Sequence, residues 1–322
     1  MAEIILPTAE KPLVTVEARG ESAVTDLPRD TVMDLYRAHG AILFRGFAAD
    51  LDAFARFARN LCPTAVKNES PGRVTIDASA TIQSVNLGGD AFPLHPELSR
   101  EPFKPDAAFF ICMEPPARGG ETTVCDGVAL AAALPKEVRD GLTGRRLVYA
   151  MPTWPGLLQF WLGTSEPDDA ALASPPPSCP YTFRRMADGA IARLFSRPAL
   201  HRPMFSDAPA FGNFLLFARF HNGRGDFPLL DDYTPVPEHW LQAIHACGER
   251  LSYPLSWQRG DLVLLDNTRF MHGRRAIEDP AQRHIITYFG YLADARPDPE
   301  EPSPAIWRQQ DFLPPANPAF AR

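Results

Sequence analysis

The stretch Leu94-His95-Pro96-Glu97-Leu98 decides how the rest of the chain is read. It sets an imidazole and a carboxylate two residues apart in what reads as an extended segment, and in a strand residues i and i+2 point to one face. His95 and Glu97 then aim at one point. Pro96 is turned away and cannot donate a ladder hydrogen bond, which favours a strand end or edge. Two ligands do not make a metal site, and H-x-E alone arises by chance in many chains of this length. The third candidate is His272, just past the apolar run Asp261-Leu262-Val263-Leu264-Leu265-Asp266.

Working outward, Ala107 to Met113 reads as a buried strand, Pro115 to Gly120 as a turn into Glu121 to Asp126, and 127 to 142 as two short helices. Arg145 to Met151 is another strand, and Asp188-Gly189 joins Tyr181 to Met186 with Ala190 to Ser196 as a hairpin. Gly212 to Phe220 reads as a strand, Pro237 to Leu251 as a helix, and 261 to 266 and 283 to 292 as closing strands. Ahead of the opening stretch, the spacing predicts a helix over 29 to 39 that stops at Gly40. A strand over Ala41 to Phe47 and a helix capped by Asp50 follow, with Leu51, Phe54, Phe57, Ala58 and Leu61 on one stripe. Ile82 to Leu87 alternates like a strand before the turn at Gly88-Gly89-Asp90.

Strands dominate the middle and the C-terminal half, so one β-domain over 1–322 with flanking α-helices is the expected organisation. Residues 165–180, polar and proline-rich after the apolar cluster from Trp154 to Leu162, read as a lid or mobile insertion. The tail 297–322 is proline-rich and reads as an extended strap.

The 322 residues include 34 prolines, about twice the usual share, which suits a loop-rich β scaffold. A formal charge of -7 with no basic stripe argues against nucleic acid as a partner. Cys62, Cys112, Cys125, Cys179 and Cys247 are odd in number and lack a C-x-x-C pair, so free thiols in a reducing compartment are expected. Neither a secretory leader nor a window long enough to span a membrane is present, and the expected location is cytoplasmic. No internal repeat, P-loop, G-x-G-x-x-G or H-E-x-x-H motif occurs.

Two imidazoles and a carboxylate on one face of an octahedral ion leave the other face open, a donor set that suits non-haem Fe(II). The ordered motifs extend this. They are Leu94-His95-Pro96-Glu97, Pro115-Pro116-Ala117-Arg118-Gly119-Gly120-Glu121-Thr122, and Gly260 to Asn267 continuing through Met271-His272-Gly273-Arg274-Arg275 to Arg283. In that order the sequence resembles the taurine dioxygenase/TfdA-like family of Fe(II)- and 2-oxoglutarate-dependent oxygenases over roughly residues 35 to 292.

The resemblance implies a double-stranded β-helix, the cupin-like jelly roll, with the N-terminal helices and the helix at 237 to 251 buttressing the larger sheet. It implies that His95, Glu97 and His272 hold iron, and that Thr122 and Arg283 hold the distal carboxylate of 2-oxoglutarate. Guanidinium and hydroxyl are apt for that task. Arg274 and Arg275 are rival partners for the carboxylate, and His221 is a substitute ligand should His272 fail. Dioxygen would convert 2-oxoglutarate to succinate and carbon dioxide while a C–H bond of a small polar metabolite, an amino acid or derivative, is hydroxylated. Desaturation or cyclisation by the same iron site is an alternative outcome.

Taurine-cleaving members resemble one another in a second arginine four residues beyond the first, where this chain has Thr287, so taurine is disfavoured. Glu97 stands where many members have Asp, as in the branch that resembles the syringomycin-type amino-acid hydroxylases of natural-product pathways, and its presence disfavours a halogenase. Asn86, Phe92, Arg219 and Thr287 are candidate substrate residues, with Trp154, Trp161, His221 and the Arg184-Arg185 pair as further candidates. A catalytically silent cupin-like protein holding a metal or small ligand, and a zinc hydrolase with the same ligands, stay open. Whether the substrate is free or carrier-tethered, and whether the chain forms a homo-oligomer, is left open by the sequence.

Overall fold

Ala41-Ile42-Leu43-Phe44 is apolar at every position because both faces of its strand are covered. The computed structural model describes residues 1–318 apart from Pro71, Ala80, Pro297 and Asp311. Its first strands are β1 (Glu3–Ile5), β2 (Val14–Glu17), β3 (Ala41–Arg45), β4 (Thr64–Ala65), β5 (Thr75–Asp77), β6 (Ile82–Ser84) and β7 (Phe92–His95). Then come β8 (Ala107–Glu114), β9 (Thr122–Asp126), β10 (Arg146–Pro152), β11 (Thr182–Arg185), β12 (Ile191–Pro198) and β13 (Leu229–Leu230). The last are β14 (Tyr253–Leu255), β15 (Leu262–Asp266), β16 (Phe270–Arg274) and β17 (His284–Tyr291). The helices are α1 (Arg29–His39), α2 (Leu51–Leu61), α3 (Gly127–Ala133), α4 (Lys136–Leu142), α5 (Pro155–Leu162), α6 (Asp169–Ala173), α7 (Leu215–Phe220) and α8 (Glu238–Leu251).

Among the described residues these strands form three sheets. A nine-stranded sheet runs β1-β2-β3-β15-β8-β17-β6-β5, with β4 also on β17. A four-stranded sheet runs β14-β9-β16-β7, and a second runs β11-β12-β10-β13. The first two face one another: Leu43, Phe110, Val263 and Phe289 of the large sheet meet Val124, Leu255 and Phe270 of the small one. Alternate residues point outward, so Ile42, Phe44, Phe109 and Tyr288 pack under Met33, Tyr36, Phe54 and Phe57 of α1 and α2. This is the double-stranded β-helix with helical flanks.

Local signals set the helix ends. Gly40 closes α1 at φ 76°, a conformation that glycine adopts without penalty. The Asp50 side chain accepts from the N–H groups of Asp52 and Ala53 at 2.8 and 3.0 Å, capping α2.

Four expectations change. Residues 212 to 220 do not form a strand: Asn213 accepts from the Leu215 N–H at 3.0 Å and α7 begins there. An unbroken apolar run leaves helix and strand undecided. Helix α8 does not lie on the large sheet; its Leu241, Ile244 and Cys247 pack with Leu130 of α3, Leu216 of α7, and Leu94, Cys125 and Met271 on the outer face of the small sheet. Segment 165–180 carries α6, capped by Asp168 and tied to β11 by Arg185, which reaches Asp169 at 2.8 Å. The strand expected over Ile82 to Leu87 spans only Ile82–Ser84.

Of the tail, Pro297, Asp311 and 319–322 lie outside the described residues. Trp307 is buried in the interior core, and Arg308 pairs with Asp106 at 2.8 Å and Glu301 at 2.7 Å. No helix among the described residues is long and apolar enough to cross a membrane.

Candidate metal centre

Strand β16 runs antiparallel to β7 with His272 opposite His95, so the small sheet itself brings together two residues from distant parts of the chain. The strand period puts Leu94 and Met271 into the outer core and leaves their neighbours His95 and His272 to face inward. The two imidazole centroids are 4.7 Å apart. Phe217 packs on His95 at 4.6 Å and Phe110 on His272 at 4.9 Å.

Glu97 arrives differently from the strand alternation expected. Strand β7 ends at His95, since Pro96 offers no ladder N–H, and Glu97 stands in the turn beyond. Asn267 fixes that turn: its Oδ1 accepts from the Glu97 N–H at 2.7 Å, and its Nδ2 donates to the Glu97 carbonyl at 3.1 Å and the Pro105 carbonyl at 2.8 Å. The carboxylate is buried, with Oε2 3.7 Å from His272 Nε2. One ligand atom from each of His95, Glu97 and His272 lies within 4.8 Å of the others.

The protonation states suit ligation. Burial pushes the His95 imidazole below its ordinary pKa, and burial, then His95 and Arg73, push His272 well below. Both shifts favour the neutral imidazole. His95 Nδ1 donates to the Pro93 carbonyl at 2.8 Å, which leaves the Nε2 lone pair for a metal. Two neutral imidazoles and one carboxylate fit Fe(II).

Thr122 opens β9 and Arg283 precedes β17. Arg283 Nη2 donates to Thr122 Oγ1 at 3.4 Å, Arg283 Nε to the Gly120 carbonyl at 3.1 Å, and Trp257 Nε1 to Thr122 Oγ1 at 3.1 Å. Arg283 is 9% exposed, and its hydrogen-bond partners among the described residues are the neutral Gly120 carbonyl and Thr122 hydroxyl, with no carboxylate. Burial, then Arg274, pull its pKa down to about 10. Gly120, at φ 68°, leaves room for it: a Cβ there would sit 3.2 Å from Arg283 Cδ.

The other sequence candidates separate. Arg274 is spent on the Asn86, Gly88 and Asp90 carbonyls and stacks over Phe92 at 4.3 Å, so it clamps the turn before β7. The side chain of Arg275 is exposed, and its backbone N–H donates to Glu121. Arg219 is turned to α8, bidentate with Glu238 at 3.0 and 3.2 Å, and its charge is already matched. His221 packs edge-on against Phe92 at 4.8 Å as part of an aromatic wall. Asn86 Oδ1 is buried with no partner among the described residues. Thr287 is buried, donating to the Gln83 carbonyl at 3.1 Å. Trp154 and Trp161 line a cavity that also takes in Asn68 and Leu98, next to Glu97. In the Arg184-Arg185 pair, Arg185 meets Asp169 while Arg184 stacks on Tyr233 at 5.1 Å.

Two neighbours of Glu97 escaped the sequence reading. Asn68 donates to Oε1 and is itself held by a reciprocal amide pair with Gln83 at 3.0 and 2.8 Å. Arg73 donates to Oε2 at 3.0 Å. Both lie in the irregular stretch after α2, where no period marks them.

Comparison with known proteins agrees with this geometry. The model of the taurine catabolism dioxygenase TauD, TfdA family matches residues 9–288. The alpha-ketoglutarate-dependent 2,4-dichlorophenoxyacetate dioxygenase of Cupriavidus pinatubonensis is 26% identical over 292 residues, 84% of this chain and 88% of the relative. In fold, a taurine dioxygenase from Burkholderia xenovorans superposes with a TM-score of 0.61 at 13% identity, covering 96% of this chain and 99% of that one. PvcB from Pseudomonas aeruginosa gives 0.60 at 17% identity, covering 93% and 94%. The chain belongs to the TauD, TfdA family, and with His95, Glu97 and His272 as its triad it is an Fe(II)- and 2-oxoglutarate-dependent dioxygenase.

Proposed function

We propose that the enzyme hydroxylates a C–H bond of a small polar metabolite, an amino acid or a derivative of one, and that Thr122 and Arg283 grip the distal carboxylate of 2-oxoglutarate. Bound iron, with 2-oxoglutarate and dioxygen, supplies the oxidation and releases succinate and carbon dioxide. The carrying observation for the grip is Arg283, a buried cation that meets only neutral partners among the described residues. Such a charge is costly unless an anion completes it. The Thr122 hydroxyl, taking the indole N–H of Trp257, adds a polar contact beside the guanidinium.

His95, Glu97 and His272 would hold the metal, and the Phe217 and Phe110 rings pack against the two imidazoles and shield them from water. Thr287 in place of a second strand arginine supports a substrate other than taurine. The Cupriavidus relative is named for a carboxylate substrate, which supports an anionic metabolite here. Segment 165–180, docked to β11 through α6, belongs in this reading to the same single domain as the site.

The test is succinate formation with Fe(II) and 2-oxoglutarate across a set of amino acids. An amino acid that raises the rate above the substrate-free level is expected, and a set that leaves it flat would sink the substrate class. Arg283→Gln is expected to raise the KM for 2-oxoglutarate about 10- to 100-fold, the scale of a lost charge-assisted hydrogen bond, while Mn(II) binding stays unchanged.

A further inference from the structure

Arg73 belongs to no motif, yet its side chain is buried beside the triad, 6% exposed. Three of its five N–H donors are used: Nη1 on Thr287 Oγ1 at 3.1 Å and on the Ser84 carbonyl at 3.4 Å, and Nη2 on Glu97 Oε2 at 3.0 Å. Nε is buried with no partner among the described residues. The guanidinium lies 5.0 Å above the Phe289 ring, so ring, strand carbonyl and hydroxyl together fix its plane. Nε and Nη2 belong to the edge with which arginine grips a carboxylate bidentately.

Glu97 Oε2 receives Arg73 and is also the oxygen 3.7 Å from His272 Nε2. A metal on the triad and the guanidinium therefore draw on one carboxylate charge. With Fe(II), Glu97, Arg283 and doubly charged 2-oxoglutarate together, the set is neutral without Arg73 and carries one positive charge with it. A singly charged carboxylate closes that balance, and a neutral substrate leaves a buried cation unmatched.

We propose that Arg73 is the specificity-determining residue, gripping a carboxylate of the substrate beside the metal, and that metal capture by Glu97 frees its donor edge for that role. The proposal rests on the metal and co-substrate assignments above. Metal and substrate carboxylate then strengthen one another's binding, each removing a competitor of the other. Thr287 is the positioning residue that keeps the guanidinium turned toward the triad.

The test titrates Mn(II) into the intact protein, then titrates carboxylates into protein loaded with Mn(II) and 2-oxoglutarate. The carboxylates are the amino acids and 2,4-dichlorophenoxyacetate, each against its amide. Arg73→Met is expected to bind Mn(II) alone about 3- to 10-fold tighter, as removal of one competing charge requires, and to lose the preference for carboxylate over amide. Weaker Mn(II) binding in Arg73→Met would mark the guanidinium as a support for Glu97 and overturn the proposal. So would a wild type that prefers no carboxylate, or a preference that survives in the variant.

Thr287→Val covers the case of a misfolded Arg73→Met: with the guanidinium less firmly held toward Glu97, it should bind Mn(II) at least as tightly as the wild type does and lose the carboxylate preference, and weaker Mn(II) binding or an unchanged preference counts against the proposal. Succinate formation by the wild type, and its 2-oxoglutarate dependence in Arg283→Gln, report on the underlying assignments separately.

Discussion

Lys104 lies beyond the turn that carries Glu97 and is buried, 7% exposed. Burial, then the charge of Arg197, bring its amine down to about 7. In the unfolded chain the same amine keeps its proton to about pH 10.4. Between those values the unfolded state binds more protons, so stability rises with pH through that window, and below about pH 7 the full cost is present. Lys104→Met should therefore stabilise most at pH 7 and below, by ~5 kcal/mol at most, with the gain shrinking toward pH 10. Urea midpoints at three pH values check it, and a pH-independent gain would count against the assignment.

At this scale the triad was legible because His and Glu at i and i+2 are chemically distinctive. Asn68 and Arg73 were not, because they reach Glu97 through Gln83 and Thr287, contacts that only the assembled large sheet creates.

The pairing of β7 with β16 depends on a residue that has no side chain. A Cβ on Gly273 would sit 2.6 Å from the Phe92 carbonyl and 2.7 Å from Thr123 Oγ1, so Gly273→Ala must push β16 away from β7 or β9. We expect a loss of about 1–3 kcal/mol in denaturant unfolding together with weaker Mn(II) binding, because His272 moves with its strand. Normal metal affinity in a destabilised variant would show that the histidine position does not depend on this contact. Most strands were legible as elements, since a run such as Leu262 to Leu265 is apolar on both faces and short. Helix α7 was not: Phe214, Leu215 and Leu216 are apolar without a period, and the deciding signal was the Asn213 side chain at its start. The placement of α8 was equally hidden, because a helical stripe says that a face is covered and not by which sheet.

Across the whole molecule, ligands that bind only the folded chain stabilise it by mass action, by ~2.7 kcal/mol at a hundredfold excess over Kd. Mn(II) with 2-oxoglutarate should raise the thermal midpoint by roughly 5 °C for a domain of this size. EDTA should abolish the rise and His272→Ala should not show it; an unchanged midpoint in the wild type would refute ligand capture at the triad. The fold class was legible from ordered motifs spread along the chain, whereas the tail's part in it was not, since a lone Trp307 among prolines does not announce that it fills the interior core.

His95 and His272 face each other across adjacent strands although most of the chain separates them. During synthesis the first imidazole and the carboxylate leave the ribosome long before the second imidazole, and the hairpin between β11 and β12 and helices α3 to α8 are made in the interval. The three-ligand iron site therefore cannot be completed before β16 has been synthesised, however early His95 and Glu97 are in place.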